Sequence, residues 1–317
     1  MAPPPVLPPR WLRALAVFIG LGAMLYLAAA VAAGSGDTLA ALLRLGAATV
    51  ALGTLAASAG FLVRFARWHW LIGLLGGRVP APFNLRVYLA GFALTPSPGK
   101  LGETLRTALL LHKGVPAAGS LGAFLADRGS DVVGMALLGA VGGALASPRV
   151  AVLEALALGL LLCSGLFAAL VRRRAAASVT EVTQARWRRI VRWASAPVLA
   201  WAGLWTPWRS AAYALLAVAA FGMQAWVLAL YVQALGADLG LAECLRIFAV
   251  AMLLGAASMV PGGLGATEAA LVYQLVAAGM DMAAAVAAAI ALRLSTLWFA
   301  ILLGVIALLS FARRTDA

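Results

Sequence analysis

Two stretches of the sequence share a Pro-Gly break that is followed by a glutamate and, further on, by an arginine. Residues 98–103 read PGKLGE and residues 261–268 read PGGLGATE. Both fit the pattern P-G-x-L-G followed by a glutamate, with two additional residues in the second copy. In each copy an arginine lies 25 positions after the glutamate, which gives the pairs Glu103–Arg128 and Glu268–Arg293. Agreement in the motif and in this spacing indicates an internal repeat.

The chemistry that these breaks offer is the binding of an anion. Proline removes a backbone donor and glycine frees the backbone, so each break is expected to end one helix and begin another. The new helix begins with unpaired N–H groups and the positive end of its dipole, and Lys100 adds a full positive charge. These features suit a phosphate. The residues predicted to contact a ligand are Lys100, Arg106, Arg128, Glu103, Glu268, Arg293, Ser97 and Thr267, and those predicted to form the turns are Pro98, Gly99, Gly102, Pro261, Gly262, Gly263 and Gly265.

Each of these residues also has a purely structural interpretation. The two glutamate–arginine pairs could be buried ion pairs that hold each break to the next helix. Asp127 and Asp131 lie one helical turn apart, so they could relay protons for coupling or neutralise Arg106 and Arg128. For the prolines and glycines, turn geometry alone is an alternative to ligand contact. The sequence leaves these alternatives open.

The remaining titratable residues favour a transporter over an enzyme. No nucleophile is paired with a base, and Cys163 and Cys244 are too few for a disulfide framework or a cysteine zinc site. His69 and His112 are likewise too few for a histidine metal site. We therefore expect no catalytic residue, no metal and no cofactor.

Composition indicates where such a protein resides. Apolar residues make up 64% of the 317 residues and charged residues only 11%, against roughly 25% in soluble domains. An ordinary soluble enzyme is excluded, and an all-α polytopic membrane protein is predicted. The net charge of +13 does not require a nucleic acid, because most basic residues, Arg64 and Arg67 among them, fall in segments that the positive-inside rule places in the cytosol.

Six segments are long enough to cross the bilayer, which needs about 20 residues. The N-terminus is placed in the cytosol because basic residues then gather on the inner side, and an even number of crossings returns the C-terminus there. The first segment resembles a signal peptide but is long, so it is interpreted as a retained anchor. The predicted spans are 12–33, 41–63, 117–146, 150–171, 210–235 and 283–312.

Two apolar stretches, 84–112 and 241–279, contain the Pro-Gly breaks and do not fit as single spans. Each flanking piece is too short for a full crossing, so we predict two re-entrant helical hairpins. The first follows a basic segment and enters from inside, whereas the second follows Asp238 and enters from outside. Two short spans in each stretch are an alternative with the same parity. The hairpins are therefore oppositely oriented, which is typical of an inverted repeat.

The predicted organisation is one membrane domain over residues 1–317. Repeat 1 covers about 41–146 and repeat 2 about 210–312. Between them, residues 172–209 are predicted to be a cytosolic loop in which Ala185–Ala202 forms an amphipathic helix on the anionic inner leaflet. A plain determinant of topology is the alternative for this loop.

The breaks and their surroundings resemble a known family. The segment TPSPGKLGETLRTALLLHKGV, with ADRGSD after it, is similar to the first motif of the flippase-like transmembrane family named for lysylphosphatidylglycerol synthase. The segment SMVPGGLGATEAALVYQLVAAG, followed by AIALRLSTLWF, is similar to its second motif. The resemblance covers about 40–312 and implies inverted repeats with re-entrant helices. It also implies movement of a lipid between leaflets.

The sequence as a whole therefore predicts a lipid translocator of the bacterial inner membrane. The expected substrate is a phospholipid or a polyprenyl-phosphate-linked glycolipid whose headgroup enters a polar cavity between the hairpins. A lipid-modifying transferase, with Glu103 or Asp127 as a base, and a small-solute transporter are the alternatives. Because no soluble transferase segment is recognised, synthesis of lysyl-lipid is not expected. The chain is expected to contact the anionic inner leaflet, to bind no nucleic acid, and to be capable of forming a homo-oligomer.

Overall fold

A computed structural model describes residues 35–95, 101–146, 170 and 185–312. All regular elements within these ranges are helical. Two 3-10 helices, Gly91–Leu94 and Pro261–Gly263, and one π-helical turn, Leu294–Trp298, interrupt or join the α-helices. The α-helices are α1 Ser35–Leu74, α2 Ala81–Ala90, α3 Leu101–Leu111, α4 Ala117–Ala146, α5 Ala185–Leu204, α6 Pro207–Ala234, α7 Leu241–Ala257, α8 Ala266–Ala277, α9 Met282–Arg293 and α10 Phe299–Ala312.

Three helical stretches in the described ranges are long and apolar enough to cross a membrane: Gly36–Leu74, Pro207–Ala234 and Met282–Phe311. They contain the predicted span 41–63 and overlap all but the last residue of the predicted spans 210–235 and 283–312. The predicted span 117–146 corresponds to α4, which has 30 residues but carries three charged residues near its middle. The predicted spans 12–33 and 150–171 lie outside the described residues, apart from residue 170.

The helix that contains the second predicted span, 41–63, extends beyond residue 63, because α1 continues to Leu74. Its extra three turns carry Arg64 and Arg67, which the sequence analysis assigned to a cytosolic segment. Both side chains are buried against α4, where carboxylates neutralise them. Near the other end, α1 bends at Gly46, whose φ of 70° and ψ of 152° depart from helical values.

The first interrupted stretch folds into two short helices that lie antiparallel. Gly102 of α3 packs so tightly on the Gly91 carbonyl that a β-carbon at Gly102 would overlap it. One helical turn further from the break on both helices, Arg106 of α3 donates to the Tyr88 carbonyl of α2. The pair therefore closes from the break outwards. Residues 96–100, which contain most of the break, lie outside the described residues.

The second interrupted stretch is built in the same way from α7 and α8. Thr267 packs directly against Gly255, and Gln274 Nε2 donates to the Ile247 carbonyl at 3.3 Å. The connection contains Gly262, Gly263 and Gly265, whose φ values of 66°, 65° and 83° are in the left-handed region. Glycine adopts this conformation without the steric penalty of a β-carbon, which explains why the motif is rich in glycine.

The two halves of the chain repeat their turns at constant spacing. Gly76, after α1, and Gly236, after α6, are 160 residues apart and have φ values of 81° and 84°. Gly114, after α3, and Gly279, after α8, are 165 residues apart and have φ values of 77° and 94°. The amide following each glycine bonds the carbonyl five residues earlier, at 3.0–3.2 Å. The change from 160 to 165 places an insertion of five residues in the interrupted stretch of the second half.

Each interrupted helix pair packs against the last long helix of the opposite half. Gly139 of α4 faces Ala249 of α7, where a β-carbon would come within 3.2 Å. Gly304 of α10 faces Ala93, and a β-carbon there would overlap the backbone. Gly139 and Gly304 are 165 residues apart, so equivalent positions make reciprocal contacts. This exchange is the arrangement expected of two halves related by a pseudo-twofold axis.

The segment predicted as the cytosolic loop 172–209 contains α5, in agreement with the predicted helix. The second half of α5 does not lie free on a surface. Trp201 and Trp205 are buried, and a β-carbon at Gly122 of α4 would come within 3.0 Å of the Pro197 carbonyl. Burial of two indoles explains this packing, since they supply a large apolar area.

Candidate functional site

Five charged side chains of α1 and α4 form a network in the interior of the protein. Arg67 Nη2 lies 2.6 Å from Asp127 Oδ1 and also bonds Asp131 Oδ1. Arg64 Nη2 lies 2.9 Å from Asp131 Oδ2. Arg128 reaches both carboxylates, with Nη2 at 2.7 Å from Asp127 Oδ2 and Nη1 at 3.1 Å from Asp131 Oδ2. Both aspartates therefore pair with more than one guanidinium group.

Helical spacing explains how the network forms. Arg64 and Arg67 are three residues apart on α1, and Asp127 and Asp131 are four residues apart on α4, so each pair occupies one helix face. The sequence analysis missed the two arginines because it counted them as topological charges. One of its two alternatives had the aspartates neutralise Arg106 and Arg128. The structure confirms this for Arg128, and it corrects it for Arg106, because the other guanidinium groups bound to the aspartates are those of Arg64 and Arg67. Proton coupling through the aspartates stays a prediction.

Arg106 is enclosed by aromatic rings. Its Nε and Nη2 donate to the Tyr88 carbonyl at 3.2 and 2.9 Å, and its guanidinium carbon lies 4.4 Å from the centroid of the Tyr88 ring. The rings of Trp68 and Phe92 lie within 5.3 and 5.6 Å. Gly91 is required here, because a β-carbon would overlap Arg106 Nε. Arg106 thus joins α2 to α3, and its contact with a ligand stays a prediction.

The predicted Glu268–Arg293 ion pair is present. Glu268 Oε1 accepts a hydrogen bond from Arg293 Nε at 2.7 Å, and Glu268 Oε2 accepts one from the backbone amide of Gly265 at 2.8 Å. Arg293 Nη2 donates to the Gly262 carbonyl at 2.6 Å. Glu268 therefore caps the N-terminus of α8 and, with Arg293, fastens the turn to α9. Thr267 is buried against Gly255, which is a packing position.

The structure does not test several of the residues predicted at the first break. Ser97, Pro98, Gly99 and Lys100 lie outside the described residues. The backbone of Glu103 belongs to α3, but its side chain lies outside the described part, so the predicted Glu103–Arg128 pair is untested. Gly102 is placed at the closest approach of α2 and α3.

The second break and the described flank of the first break contact the same long helix. Gly262 of the second break faces Leu297 in the π-helical turn, and Ala93 beside the first break faces Gly304. Seven residues separate Leu297 from Gly304, which corresponds to about 10 Å along an α-helix. The described flanks of both breaks therefore approach each other along the helix that follows Arg293.

A second polar contact occurs at the π-helical turn. Ser295 Oγ lies 2.6 Å from the Tyr231 hydroxyl and 3.2 Å from Thr54 Oγ1. These residues belong to α6, α1 and the turn itself, so the contact joins both halves of the chain. Single π-helical turns occur frequently at functional sites. The sequence analysis missed this contact because none of the three residues is charged.

Within the described ranges, no group of three or more His, Cys, Asp or Glu residues is placed so that it could hold a metal ion. The described cysteine, Cys244, is buried with a free thiol among apolar side chains.

Comparison with known proteins assigns the chain to a family. Residues 12–304 match the family described as the lysylphosphatidylglycerol synthase TM region. None of the curated proteins matches the sequence. The match covers both breaks, the ion-pair network and more than nine-tenths of the chain, and it confirms the resemblance drawn from the motifs. Together with the long apolar helices, it shows a multi-pass membrane protein whose family is consistent with lipid translocation. The chain belongs to the lysylphosphatidylglycerol synthase transmembrane-region family.

Proposed function

We propose that the protein translocates a phospholipid or a polyprenyl-phosphate-linked glycolipid between the leaflets of the bacterial inner membrane. The observation that carries this proposal is the family match over both Pro-Gly motifs, together with the contact of the second break and of the described flank of the first with one long helix. The headgroup enters a polar cavity between the breaks, and the acyl or prenyl chains remain in the bilayer. The protein acts as a transporter and leaves the lipid chemically unchanged.

The proposed architecture has six transmembrane helices and two re-entrant hairpins that enter from opposite faces. The repeated turns at Gly76 and Gly236 and at Gly114 and Gly279 support an inverted repeat. The reciprocal contacts of Gly139 and Gly304 support it as well. Rocking of one repeat against the other would expose the site to each leaflet in turn.

The physical task of the protein is to reduce the cost of desolvating the headgroup. An ionised group in hydrocarbon is strongly unfavourable unless it is paired and hydrogen-bonded. The buried charges of α1 and α4 show that this fold places and neutralises ions in its interior. An interior of that kind can replace the hydration of a phosphate during the crossing.

The proposed topology places both termini in the cytosol, with the basic segments against the anionic inner leaflet. A homo-oligomer is compatible with this arrangement. Single cysteines in the segments before α6 and after α8, labelled from outside intact cells, test the orientation. A second hairpin that enters from outside predicts labelling at residue 238 and after α8, and no labelling before α6. Protection of residue 238 together with labelling after α8 would contradict it.

Transport itself is tested with purified protein in liposomes that contain fluorescent phosphatidylglycerol. A membrane-impermeant reductant quenches the outer leaflet, and further quenching reports translocation. The proposal expects protein-dependent quenching of the inner leaflet and recovery of unmodified lipid. A covalent lipid product would favour a transferase, and solute flux without lipid movement would favour a small-solute transporter. Either of these two outcomes overturns the proposal.

A further inference from the structure

The ion-pair network of α1 and α4 carries more positive than negative charge. Among the described side chains it contains three arginines, Arg64, Arg67 and Arg128, and two aspartates, Asp127 and Asp131. The charged residues of the adjacent α3 are one glutamate and one arginine, which leave this excess unchanged. An excess charge in a membrane interior is unfavourable unless an opposite charge accompanies it.

Several of the described hydrogen-bond donors buried around the network have no acceptor. Among the described residues, Arg67 Nη1, Arg64 Nε and the Tyr88 hydroxyl have no hydrogen-bond partner, although all three atoms are buried. Tyr88 is 0% exposed, and its ring packs against Phe65 and Trp68, which flank Arg64 and Arg67 on α1. Buried donors are normally satisfied, and those that are not point to an absent partner. An acceptor with several oxygens would satisfy them.

Four of the five network charges have no charged counterpart in the other half of the chain, and Arg128 corresponds to Arg293. With the spacings of the repeated turns, Arg64 and Arg67 correspond to Gln224 and Val227. Asp127 and Asp131 correspond to Leu292 and Thr296. All four counterparts are neutral and buried. The second half therefore packs these four positions without ions, which favours a functional reason for Arg64, Arg67, Asp127 and Asp131 in the first half.

The network is open at one end. The Arg128 side chain is 31% exposed, whereas those of Arg64 and Arg67 are 10% and 0% exposed. An anion that reached Arg128 would meet further guanidinium groups behind it. Arginine suits this role, since its planar fork matches the oxygens of a phosphate.

We propose that Arg64, Arg67, Arg128 and the Tyr88 hydroxyl form an oxyanion site that binds the phosphate of the lipid headgroup during translocation. This inference rests on the proposed function and assigns the substrate class, a lipid bearing an anionic phosphate. One phosphodiester supplies the single negative charge that the network lacks. It also supplies acceptors for the unused donors.

Arg64→Gln is the most direct variant, because it installs the residue that the second half of the chain carries at the equivalent position. In this variant Asp131 still pairs with Arg67 and Arg128, so no buried carboxylate is left without an ion-pair partner. Tyr88→Phe is the second variant, which removes an unpartnered hydroxyl without changing charge or shape. Arg246→Gln is the matched control, because it removes an equal charge from a partly exposed pair with Glu243 on α7.

Binding is measured as the shift in melting temperature of the detergent-purified protein against increasing phosphatidylglycerol, with diacylglycerol of the same chains as the phosphate-free lipid. The site predicts a larger shift with phosphatidylglycerol. It also predicts about tenfold weaker half-saturation in Arg64→Gln and a weaker response in Tyr88→Phe, with Arg246→Gln unchanged. If inorganic phosphate reproduces the shift in melting temperature, the same oxyanion site also binds free phosphate.

Equal shifts with phosphatidylglycerol and diacylglycerol, or unchanged half-saturation in both variants, would overturn the oxyanion site. That result would leave the translocation assay of the wild type unaffected. Conversely, wild-type protein that binds phosphatidylglycerol through these residues but moves no lipid in liposomes would overturn the proposed function and retain the site.

Discussion

Arg67 of α1 and Asp127 of α4 form an ion pair from which solvent is fully excluded. Arg67 Nη2 lies 2.6 Å from Asp127 Oδ1, and both side chains are 0% exposed. The pair joins two long helices of one half of the chain. At the equivalent positions of the other half, Val227 and Leu292 are both buried. The same fold thus contains an ionic and an apolar version of one helix contact.

This comparison predicts the energetics of the pair. Arg67→Val alone and Asp127→Leu alone should each lower the free energy of unfolding by about 3–5 kcal/mol, because each leaves a buried charge with fewer partners. The double variant, which copies Val227 and Leu292 and has a similar combined volume, should be more stable than either single variant. Thermal unfolding in detergent measures the cycle. Additive losses in the double variant would show that the two residues do not interact.

Glu268→Gln should destabilise the second break. It removes the charge opposite Arg293, whose side chain is 4% exposed, and it weakens the cap on the Gly265 amide. We expect a loss of about 3–5 kcal/mol and loss of translocation. Glu243→Gln is the control, because its partner Arg246 is 25% exposed and the pair is worth little. Equal melting temperatures for Glu268→Gln and wild type would contradict the fastening role.

Lys100→Ala separates ligand contact from stability. The sequence assigns Lys100 to the first break with no obvious local partner, so its removal should leave the melting temperature nearly unchanged while abolishing translocation. Liposome transport and thermal unfolding of the same preparation measure both properties. Full transport in Lys100→Ala would remove the anion-binding role of the first break.

Close packing of the first helix pair predicts a steric effect. A β-carbon at Gly102 would overlap the Gly91 carbonyl, which is backbone and cannot turn away. Gly102→Ala should therefore cost about 1–3 kcal/mol of unfolding free energy by overpacking. Gly73→Ala is the matched control, since no atom lies within 4 Å of a β-carbon at that helical position. The control should be neutral or stabilising by up to about 1 kcal/mol. Equal effects at both sites would argue against tight pairing of α2 and α3.

The sequence predicted those features that local pattern determines. The helical class and the family followed from composition and from the two motifs, and the spacing of Glu268 and Arg293 predicted their ion pair. The family match and the hydrogen bond confirm these predictions.

Features that depend on packing between distant helices could not be predicted in the same way. Arg64 and Arg67 have the sequence context of topological charges, and only the facing surface of α4 shows that they are buried. The equivalence of Gly139 and Gly304 also requires the fold, because neither glycine stands in a recognisable motif. Trp201 and Trp205 lie in the segment predicted to be a cytosolic loop, whereas their side chains are buried.

The position of a lipid phosphate in the protein tests the central claim most directly. Electron cryomicroscopy of the protein in nanodiscs that contain phosphatidylglycerol would locate it. We predict phosphate density within hydrogen-bonding distance of Arg128 or Arg64, with the acyl chains extending into the bilayer. Phospholipid phosphates found solely at the two membrane surfaces, with the interior around Arg67 and Tyr88 closed to lipid in every class of particles, would contradict the account.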